Sequence, residues 1–501
     1  MKSKSAWEEH VSPPEFGKPS GRLKVDALVI GGGITGVTTA YLLKKAGLKV
    51  ALVERYKIGG GETAHTTAHV TCVTDARLSE LASSVGKPAA SALWDAGLLA
   101  MQQIDAIAHE NAIRCELRKV PGYLFAAEGK PIGPERESLA EDARLAQEFG
   151  YEAELIDADP LFERPSVRFA NQLKFHPLKY LYGLARRLPG DDCHVFQETD
   201  GTQLDEKRNV LHTSDGTISY GALVIATHVP LQGKTGTLSA ALFQTKLAAY
   251  SSYAIEALVR RQDEALFWDT NDPYLYLRVD DHATETTVVL GGEDHKTGTE
   301  ADTEARYTSL ERTLRKIFPK AEPTHRWSGQ VIETPDGLPY IGETSDRQFL
   351  ATGFSGNGMT LGTFSAILLA DLVTGRKNSW AELFDPHRKK LAGAWEYLRE
   401  NKDFPAYFLK DHLTPEHHDA EEISPGDGAL AAVDGKKCAV YVDEERKRTV
   451  LSPVCPHLGC IVHWNPAEKT WDCPCHGSRF TSSGDLIAGP AEEGLEKIVT
   501  P

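Results

Sequence analysis

The sequence predicts an α/β domain interrupted by an inserted α+β domain and followed by a small all-β domain. Three observations support this architecture. An apolar strand runs into a glycine-rich turn and a helix near the start, alternating strands occupy the middle of the chain, and short strands separated by Gly, Pro and Asn turns end it. The 501 residues are enough for about three domains of roughly 150 residues each.

The composition limits the classes of partner. Lys and Arg total 55 and Asp and Glu total 71, so the net charge is −16. Such a surface repels phosphate backbones, which argues against nucleic acid as the main partner. The sequence contains no apolar run of the roughly 20 residues that a membrane span needs, and its start does not resemble a signal peptide. We therefore expect a cytoplasmic protein.

The first βαβ unit predicts a Rossmann-like nucleotide site. A strand over residues 25–30 leads into Gly31-x-Gly33-x-x-Gly36 and a helix, and the next strand, over 48–53, ends at Glu54. Glycines in this position let the backbone approach a pyrophosphate at a helix N-terminus, and the acid can accept hydrogen bonds from ribose hydroxyls. The motif alone does not distinguish FAD from NAD.

Two further segments bear on the choice between FAD and NAD. Residues 58–68 form a second loop of small residues, and residues 334–342 precede the run Ala-Thr-Gly-Phe-Ser-Gly-Asn-Gly-Met-Thr at 351–360. Together with the glycine turn, these segments resemble the D-amino acid oxidase/glycine oxidase superfamily of FAD-dependent oxidoreductases, over about residues 24–388. The resemblance implies FAD and a set of contact residues: Gly31, Gly33, Gly36, Glu54, Arg55, Gly61, Thr66, Thr67, Ala226, Thr227, Gly353, Gly356, Gly358, Met359 and Thr360.

The substrate residues are less defined. Tyr276 and Arg278 lie on a predicted strand of the inserted domain, where members of this superfamily place groups that grip a carboxylate. They are candidate catalytic residues, although an Arg on an alternating strand more often faces solvent. His65 and His69 raise the alternative of a covalent flavin link, but a histidine in a polar loop near the ring is the simpler interpretation.

Cysteines and histidines cluster near the C-terminus. Cys455 and His457 lie on one short loop, and Cys473 and His476 lie on another. Two thiolates and two imidazoles suit a tetrahedral zinc ion, and they also suit a 2Fe–2S cluster in which one iron takes the thiolates and the other the imidazoles. Zinc would leave Cys460 and Cys475 without a role.

The pattern C-x-H-x-G-C…C-P-C-H-G-S closely resembles Rieske proteins of the cytochrome bc type, over about residues 421–501. The resemblance implies that Cys455, His457, Cys473 and His476 bind the cluster, and that Cys460 and Cys475 form a disulfide that clamps the two loops. High-potential members carry a Tyr two residues after the Ser that corresponds to Ser478, whereas this chain has Phe480. We therefore expect a potential in the middle or lower part of the range of roughly −150 to +300 mV.

These resemblances specify the fold class as an α/β FAD-binding Rossmann-like domain with an inserted α+β substrate domain, plus a C-terminal all-β Rieske domain. The expected parts are an N-terminal extension over 1–23, the oxidoreductase over 24–388, a helix and linker over 389–420, and the Rieske domain over 421–501. Within the oxidoreductase, we expect nucleotide-binding segments at about 24–76, 151–245 and 325–376, and substrate-domain segments at about 77–150 and 246–324.

The two cofactors together predict a function. A flavin accepts two electrons as a hydride, whereas a 2Fe–2S cluster accepts one electron at a time. We expect FAD to oxidise an amine or amino acid by hydride transfer and the cluster to remove the electrons singly, towards an unknown acceptor. Two alternatives are a redox relay without its own organic substrate, and the reverse flow, in which the cluster is the electron donor to the flavin.

Overall fold

The computed structural model describes residues 1–230, 247–282, 285–388 and 418–498. Within them the chain forms two large sheets and two small ones. The α-helices of these residues are Ile34–Lys45, Glu62–His65, Leu78–Val85, Lys87–Glu110, Ile132–Glu148, Pro177–Ala185, Thr303–Ile317, Gly358–Val373 and Ala381–Phe384, and a 3-10 helix covers Ala6–Glu8. None of the described helices combines the length and the apolar character needed to cross a membrane.

One large sheet contains the predicted nucleotide-binding strands. In spatial order its strands are Tyr340–Ser345, Gln348–Thr352, Gly216–Ile225, Gly21–Ile30, Val50–Val53 and His194–Phe196, with Val210–Thr213 and Gly201–Asp205 added beside Gly216–Ile225. The central pairs are parallel. Leu28, Val29 and Leu52 are fully buried, as expected for a parallel sheet covered on both faces. Helices Ile34–Lys45 and Gly358–Val373 pack against each other beside it. The two predicted cofactor loops start from strands Gly21–Ile30 and Gln348–Thr352, which flank Gly216–Ile225 on either side.

The second large sheet is mostly antiparallel. In spatial order its strands are Lys2–Ser3, Glu322–Glu333, Ala248–Val259, Thr286–Lys296, Tyr276–Asp281, Leu266–Asp269, Arg118–Phe125, Ser166–Lys174 and His69–Val70, with Ala153–Ile156 paired to Ser166–Lys174. The expected segment boundaries need correction here, because strands within 151–174 and 325–333 belong to this sheet and not to the nucleotide-binding sheet. The chain crosses between the sheets more often than contiguous segments predict, since strand partners far apart in sequence decide the membership.

The C-terminal part consists of two small antiparallel sheets. One contains His418–Asp419, Asp427–Val433, Lys436–Val442 and Arg448–Leu451, and the other contains His463–Asn465, Thr470–Asp472, Arg479–Thr481 and Leu486–Ala488. Their shared core includes fully buried Trp471 and Phe480 together with the buried cysteines. Most of the helix and linker expected over 389–420, namely 389–417, lies outside the described residues, as do 231–246 and 499–501.

Candidate cofactor and active site

A cavity of about 1100 Å³ runs along the carboxyl ends of the parallel strands. Its lining comes from both large sheets, from the loop at 354–359 and from the C-terminal domain. This edge of a parallel sheet is where nucleotides bind in open α/β folds. The cavity is therefore the site in which the predicted residues have to be placed.

The glycine turn closes one wall of the cavity. A Cβ on Gly31 would lie 2.3 Å from the carbonyl oxygen of Ala226, and one on Gly36 would lie 1.9 Å from the carbonyl oxygen of Gly31. The backbone of Gly31 has φ of +113°, which also favours glycine. The turn thus brings helix Ile34–Lys45 directly against the strand end, with its N-terminal amide groups facing the cavity.

Glu54 and Arg55 lie beside this turn. The Glu54 carboxylate accepts hydrogen bonds from the backbone N–H of Gly32 at 2.6 Å and of Tyr56 at 2.8 Å. Burial raises the pKa of Glu54, against the lowering effect of these backbone hydrogen bonds. Arg55 donates to Asp200 at 3.0 Å. Both residues line the cavity, where a ribose hydroxyl could hydrogen-bond to Glu54.

Most of the expected FAD contacts line the cavity. These are Gly31, Gly33, Glu54, Arg55, Gly61, Thr66, Thr67, Ala226, Thr227, Gly356, Gly358 and Met359. Three expected contacts do not line the cavity: Gly36 in the turn, Gly353 packed on Thr334, and Thr360. Thr360 is 1% exposed and its hydroxyl has no hydrogen-bond partner among the described residues. His65 and His69 also line the cavity, so the alternative of a covalent link stays a prediction.

Only one of the two candidate substrate residues lines the cavity. Tyr276 lines the cavity, and its hydroxyl is 2.7 Å from that of Ser252. Arg278 does not line it. The Arg278 guanidinium is bound by the Asp280 carboxylate at 2.8 and 2.9 Å, and it also donates to the carbonyls of Ala68 and Phe175. The expectation that Arg278 grips a substrate carboxylate is therefore wrong, because buried acceptors already use its donors.

The two Cys-His loops share one backbone conformation. In the first, the N–H of Cys455 donates to the carbonyl of Cys460 and the N–H of Gly459 donates to the carbonyl of Cys455. In the second, Cys473 donates to Ser478 and Gly477 donates to Cys473 in the same pattern. Gly459 and Gly477 have φ of +80° and +78°. Each loop therefore has a glycine with left-handed backbone conformation one or two residues after its histidine.

The two loops bring their cysteine sulfurs close to each other and their histidine rings close to each other. The thiols of Cys455 and Cys473 are hydrogen-bonded, which lowers the pKa of Cys455, and the rings of His457 and His476 lie 4.9 Å apart at 89°. Burial lowers the pKa of His457 to about 4 and is also the main cause lowering that of His476 to about 3. The imidazoles are thus neutral at pH 7 and can offer a nitrogen to a metal. A sulfur pair beside an imidazole pair fits a 2Fe–2S cluster with mixed ligands.

A disulfide joins the two loops. It links Cys460 to Cys475, as the resemblance implied. The sulfur of Cys473 lies within 4.8 Å of both disulfide sulfurs, and Ser478, which is fully buried, accepts from the N–H of Ala491 at 3.0 Å. The cross-link and the serine hold the second loop in place.

The second Cys-His loop packs on the oxidoreductase. Gln330, which lines the cavity, donates through Nε2 to the carbonyl of Gly477 at 2.8 Å. On the other side, a Cβ on Gly298 would lie 2.7 Å from the backbone nitrogen of Pro474, and His463 hydrogen-bonds to the carbonyl of Gly298 at 2.8 Å. A single residue thus bridges the cavity and the loop that carries His476.

The C-terminal domain also forms part of the cavity wall. Its contributing residues are Ile487, Ala488, Gly489, Ala491, Glu492 and Glu493, and the Tyr56 hydroxyl donates to the carbonyl of Leu486. The Tyr56 contact lies near Arg55 and Asp200, at the end of the cavity expected to hold the adenosine. The two modules therefore share one site.

Several lining residues were not predicted from the sequence. They include Asp75, Ser252, Tyr274, Asp294 and Gln330. None of them belongs to a local motif, since they come from separate strands and loops that meet only in the folded chain. Among these residues, only Asp75 had a signal in the sequence, because it is an acidic residue shortly after the loop of small residues at 58–68.

Comparisons with known proteins identify the family of each part of the chain. A sequence model described as FAD dependent oxidoreductase matches residues 26–372, and one described as Rieske [2Fe-2S] domain matches 416–499. The putative Rieske 2Fe-2S iron-sulfur protein YhfW of Bacillus subtilis is 30% identical over 98% of this chain and 97% of its own.

Solved structures are similar to the first part of the chain. Glycine oxidase from Geobacillus kaustophilus has a TM-score of 0.61 at 18% identity, covering 73% of this chain and 99% of its own. L-proline dehydrogenase from P. horikoshii has a TM-score of 0.59 at 18% identity, covering 73% and 98%. At this identity the similarity shows the fold.

Proposed function

Because this chain belongs to the family of FAD-dependent oxidoreductases and carries a Rieske [2Fe–2S] domain, we propose that it oxidises an amine or amino acid and passes the electrons within the chain. Its cofactors are FAD and a 2Fe–2S cluster. Bound FAD would supply a two-electron acceptor for the hydride from the substrate carbon. A 2Fe–2S cluster held by Cys455, His457, Cys473 and His476 would supply a one-electron acceptor, which an external acceptor has to reoxidise between the two electrons. Two structural neighbours, a glycine oxidase and an L-proline dehydrogenase, support this class of substrate.

The observation that carries the proposal is the contact between the Cys-His loop and the FAD cavity. Gln330 lines the cavity and hydrogen-bonds to Gly477, which directly follows His476. His476, which would hold one iron, therefore lies directly beside a residue that contacts the cavity wall. This contact favours electron transfer within one chain over transfer between molecules.

The chain's own residues have defined roles in this proposal. The amide groups of the turn Gly31–Gly36 bind the FAD pyrophosphate, and Glu54 binds the ribose. Cys455 and Cys473 hold one iron, and His457 and His476 hold the other. The disulfide Cys460–Cys475 fixes the distance between the two ligand loops.

Anaerobic spectroscopy tests the proposal. We expect the purified holoprotein to show flavin absorption and a Rieske EPR signal after reduction by dithionite. Candidate amines and amino acids should bleach the flavin and then reduce the cluster. A protein that dithionite reduces, but that no amine, amino acid or 2-hydroxy acid bleaches, would instead be a redox relay.

Replacing Gln330 tests the route between the cofactors. In Gln330→Met the hydrogen bond to Gly477 is lost, at a cost of about 1 kcal/mol to the contact, while a side chain of similar length remains. We expect cluster reduction to slow several-fold after the flavin has been reduced, with an unchanged rate of flavin reduction by substrate. Stopped-flow absorption resolves the two phases, and the exposed Gln102→Met serves as the control. Equal second phases in both variants would exclude this route.

A further inference from the structure

One end of the cavity contains two carboxylates, those of Asp75 and Asp294, next to the loop at 354–359. Asp75 accepts from the N–H of Gly356 at 2.5 Å. Asp294 accepts from the hydroxyl of Ser252, which is 2.7 Å from the Tyr276 hydroxyl. Burial raises the pKa of Asp75 and that of Asp294, the latter to about 7. Both acids are partly buried, and neither is paired with a cationic side chain among the described residues. A positively charged ligand would supply the missing counterion.

Aromatic rings surround the same end. The rings of Tyr274 and Tyr276 lie 5.5 Å apart, and the ring of His69 meets Tyr276 edge-on at 5.9 Å. Trp268 and Phe354 also line the cavity. Aromatic faces next to carboxylates attract ammonium groups through cation–π and ionic interactions.

No free cation serves this end of the cavity among the described residues. The arginines of the lining are Arg55, bound to Asp200, and Arg77, bound to Asp142 at 2.8 Å. Arg278 is bound to Asp280. Burial lowers the pKa of His69 to about 3, which leaves the imidazole neutral. A substrate carboxylate placed beside Asp75 and Asp294 would therefore meet like charges and, within the described ranges, no counterion.

We propose that the substrate is an amine without a carboxylate on the amine-bearing carbon, bound as an ammonium ion by Asp294, Asp75 and the tyrosine rings. This inference rests on the proposed function and narrows it. One N–H bond of the ammonium ion breaks and an O–H bond forms on Asp294, which leaves a neutral amine. Its carbon then gives a hydride, with both electrons of the C–H bond, to FAD and becomes the carbon of an iminium ion.

Matched substrates test the proposal on the unmodified holoprotein. Benzylamine is compared with phenylglycine, and butylamine with norvaline, since each pair differs by one carboxylate. We expect the initial anaerobic bleaching of the flavin to be at least about tenfold faster with the amines, a difference of about 1.4 kcal/mol in barrier. Equal or faster bleaching by the amino acids would overturn this inference and leave the proposed function intact. Bleaching by neither class, with dithionite still effective, would overturn both.

Binding of an unreactive cation gives a readout that is independent of turnover. Benzyltrimethylammonium should perturb the flavin spectrum at a lower concentration than phenylacetate does. In Asp294→Asn the dissociation constant for the cation should rise at least about tenfold. Asp263→Asn removes the same charge from an exposed position outside the cavity, and its dissociation constant should match the unmodified protein. Tighter binding of phenylacetate, or equal effects of the two substitutions, would contradict the proposal.

The pH profile of this binding separates Asp294 from a purely structural role. The charge of the quaternary cation does not change with pH, so only protein groups titrate. Asp294 is faced by Ser252 and by the carboxylates of Asp75, Glu293 and Asp272, all three of which raise its pKa. Because burial raises the pKa of Asp294 to about 7, binding should tighten as the pH rises through this value. In Asp294→Asn this step should be lost, and any remaining pH dependence should come from Asp75, whose pKa is also raised by burial. A profile unchanged by the substitution would count against the proposal.

Discussion

Replacing Cys473 with serine is expected to abolish the Rieske EPR signal and the bound iron while leaving the flavin in place. Cys473 is 1% exposed, and its sulfur is hydrogen-bonded to Cys455. A serine hydroxyl does not ionise to a soft ligand, so the iron would lose one of its two thiolates. Because the FAD cavity is lined mainly by the oxidoreductase, substrate should still bleach the flavin. Turnover with an external one-electron acceptor should fall to the background.

A second cysteine of the same domain provides the control. Cys438 is also 1% exposed and free, but it lies in strand Lys436–Val442, away from both ligand loops. Cys438→Ser should keep the iron content and the EPR signal. Loss of the EPR signal in both variants would mean that the domain does not fold when either cysteine is replaced. Retention of the signal in Cys473→Ser would show that Cys473 is not a ligand of the cluster.

Replacing Gly36 with alanine is expected to remove FAD. The added Cβ would lie 1.9 Å from the carbonyl oxygen of Gly31, a separation that real atoms do not adopt. The helix Ile34–Lys45 would have to move away from the strand end, which would displace the amide groups that face the pyrophosphate. We expect the ratio of flavin to protein to fall close to zero while the iron signal remains, since both Cys-His loops lie in the C-terminal domain.

Gly17→Ala is the matched substitution, because a Cβ at Gly17 meets no atom within 4 Å. This variant should bind FAD as the unmodified protein does. Flavin released by denaturation and measured by fluorescence gives the occupancy of both variants. Full occupancy in Gly36→Ala would show that the turn does not need its glycine.

The parts of the site that the sequence predicted are those encoded locally. The turn Gly31–Gly36 and the two Cys-His loops are short segments whose residue types are required by backbone conformation or by ligand chemistry. The sheet membership of 151–174 and 325–333 was predicted wrongly, because strand pairing depends on register between distant segments. Arg278 was misjudged for a related reason: its partners include Ala68 and Phe175, which are remote in sequence.

The acidic end of the cavity and the contact between the modules depend entirely on tertiary structure. Asp75 and Asp294 meet only because one follows a loop of the nucleotide-binding part and the other lies on strand Thr286–Lys296. Gln330 reaches Gly477 across 147 residues. No periodicity or spacing in the sequence encodes such proximities, so the proposed electron route and the proposed substrate class rest on contacts within the fold.

The time course of reduction tests most directly whether the two cofactors act together in one chain. The holoprotein is mixed anaerobically with an amine that bleaches the flavin, and flavin absorption and the cluster EPR signal are followed at protein concentrations that differ about tenfold. We expect flavin reduction first and cluster reduction second, with a second rate that does not depend on protein concentration. A cluster that stays oxidised beside reduced flavin, or a second rate proportional to protein concentration, would contradict it.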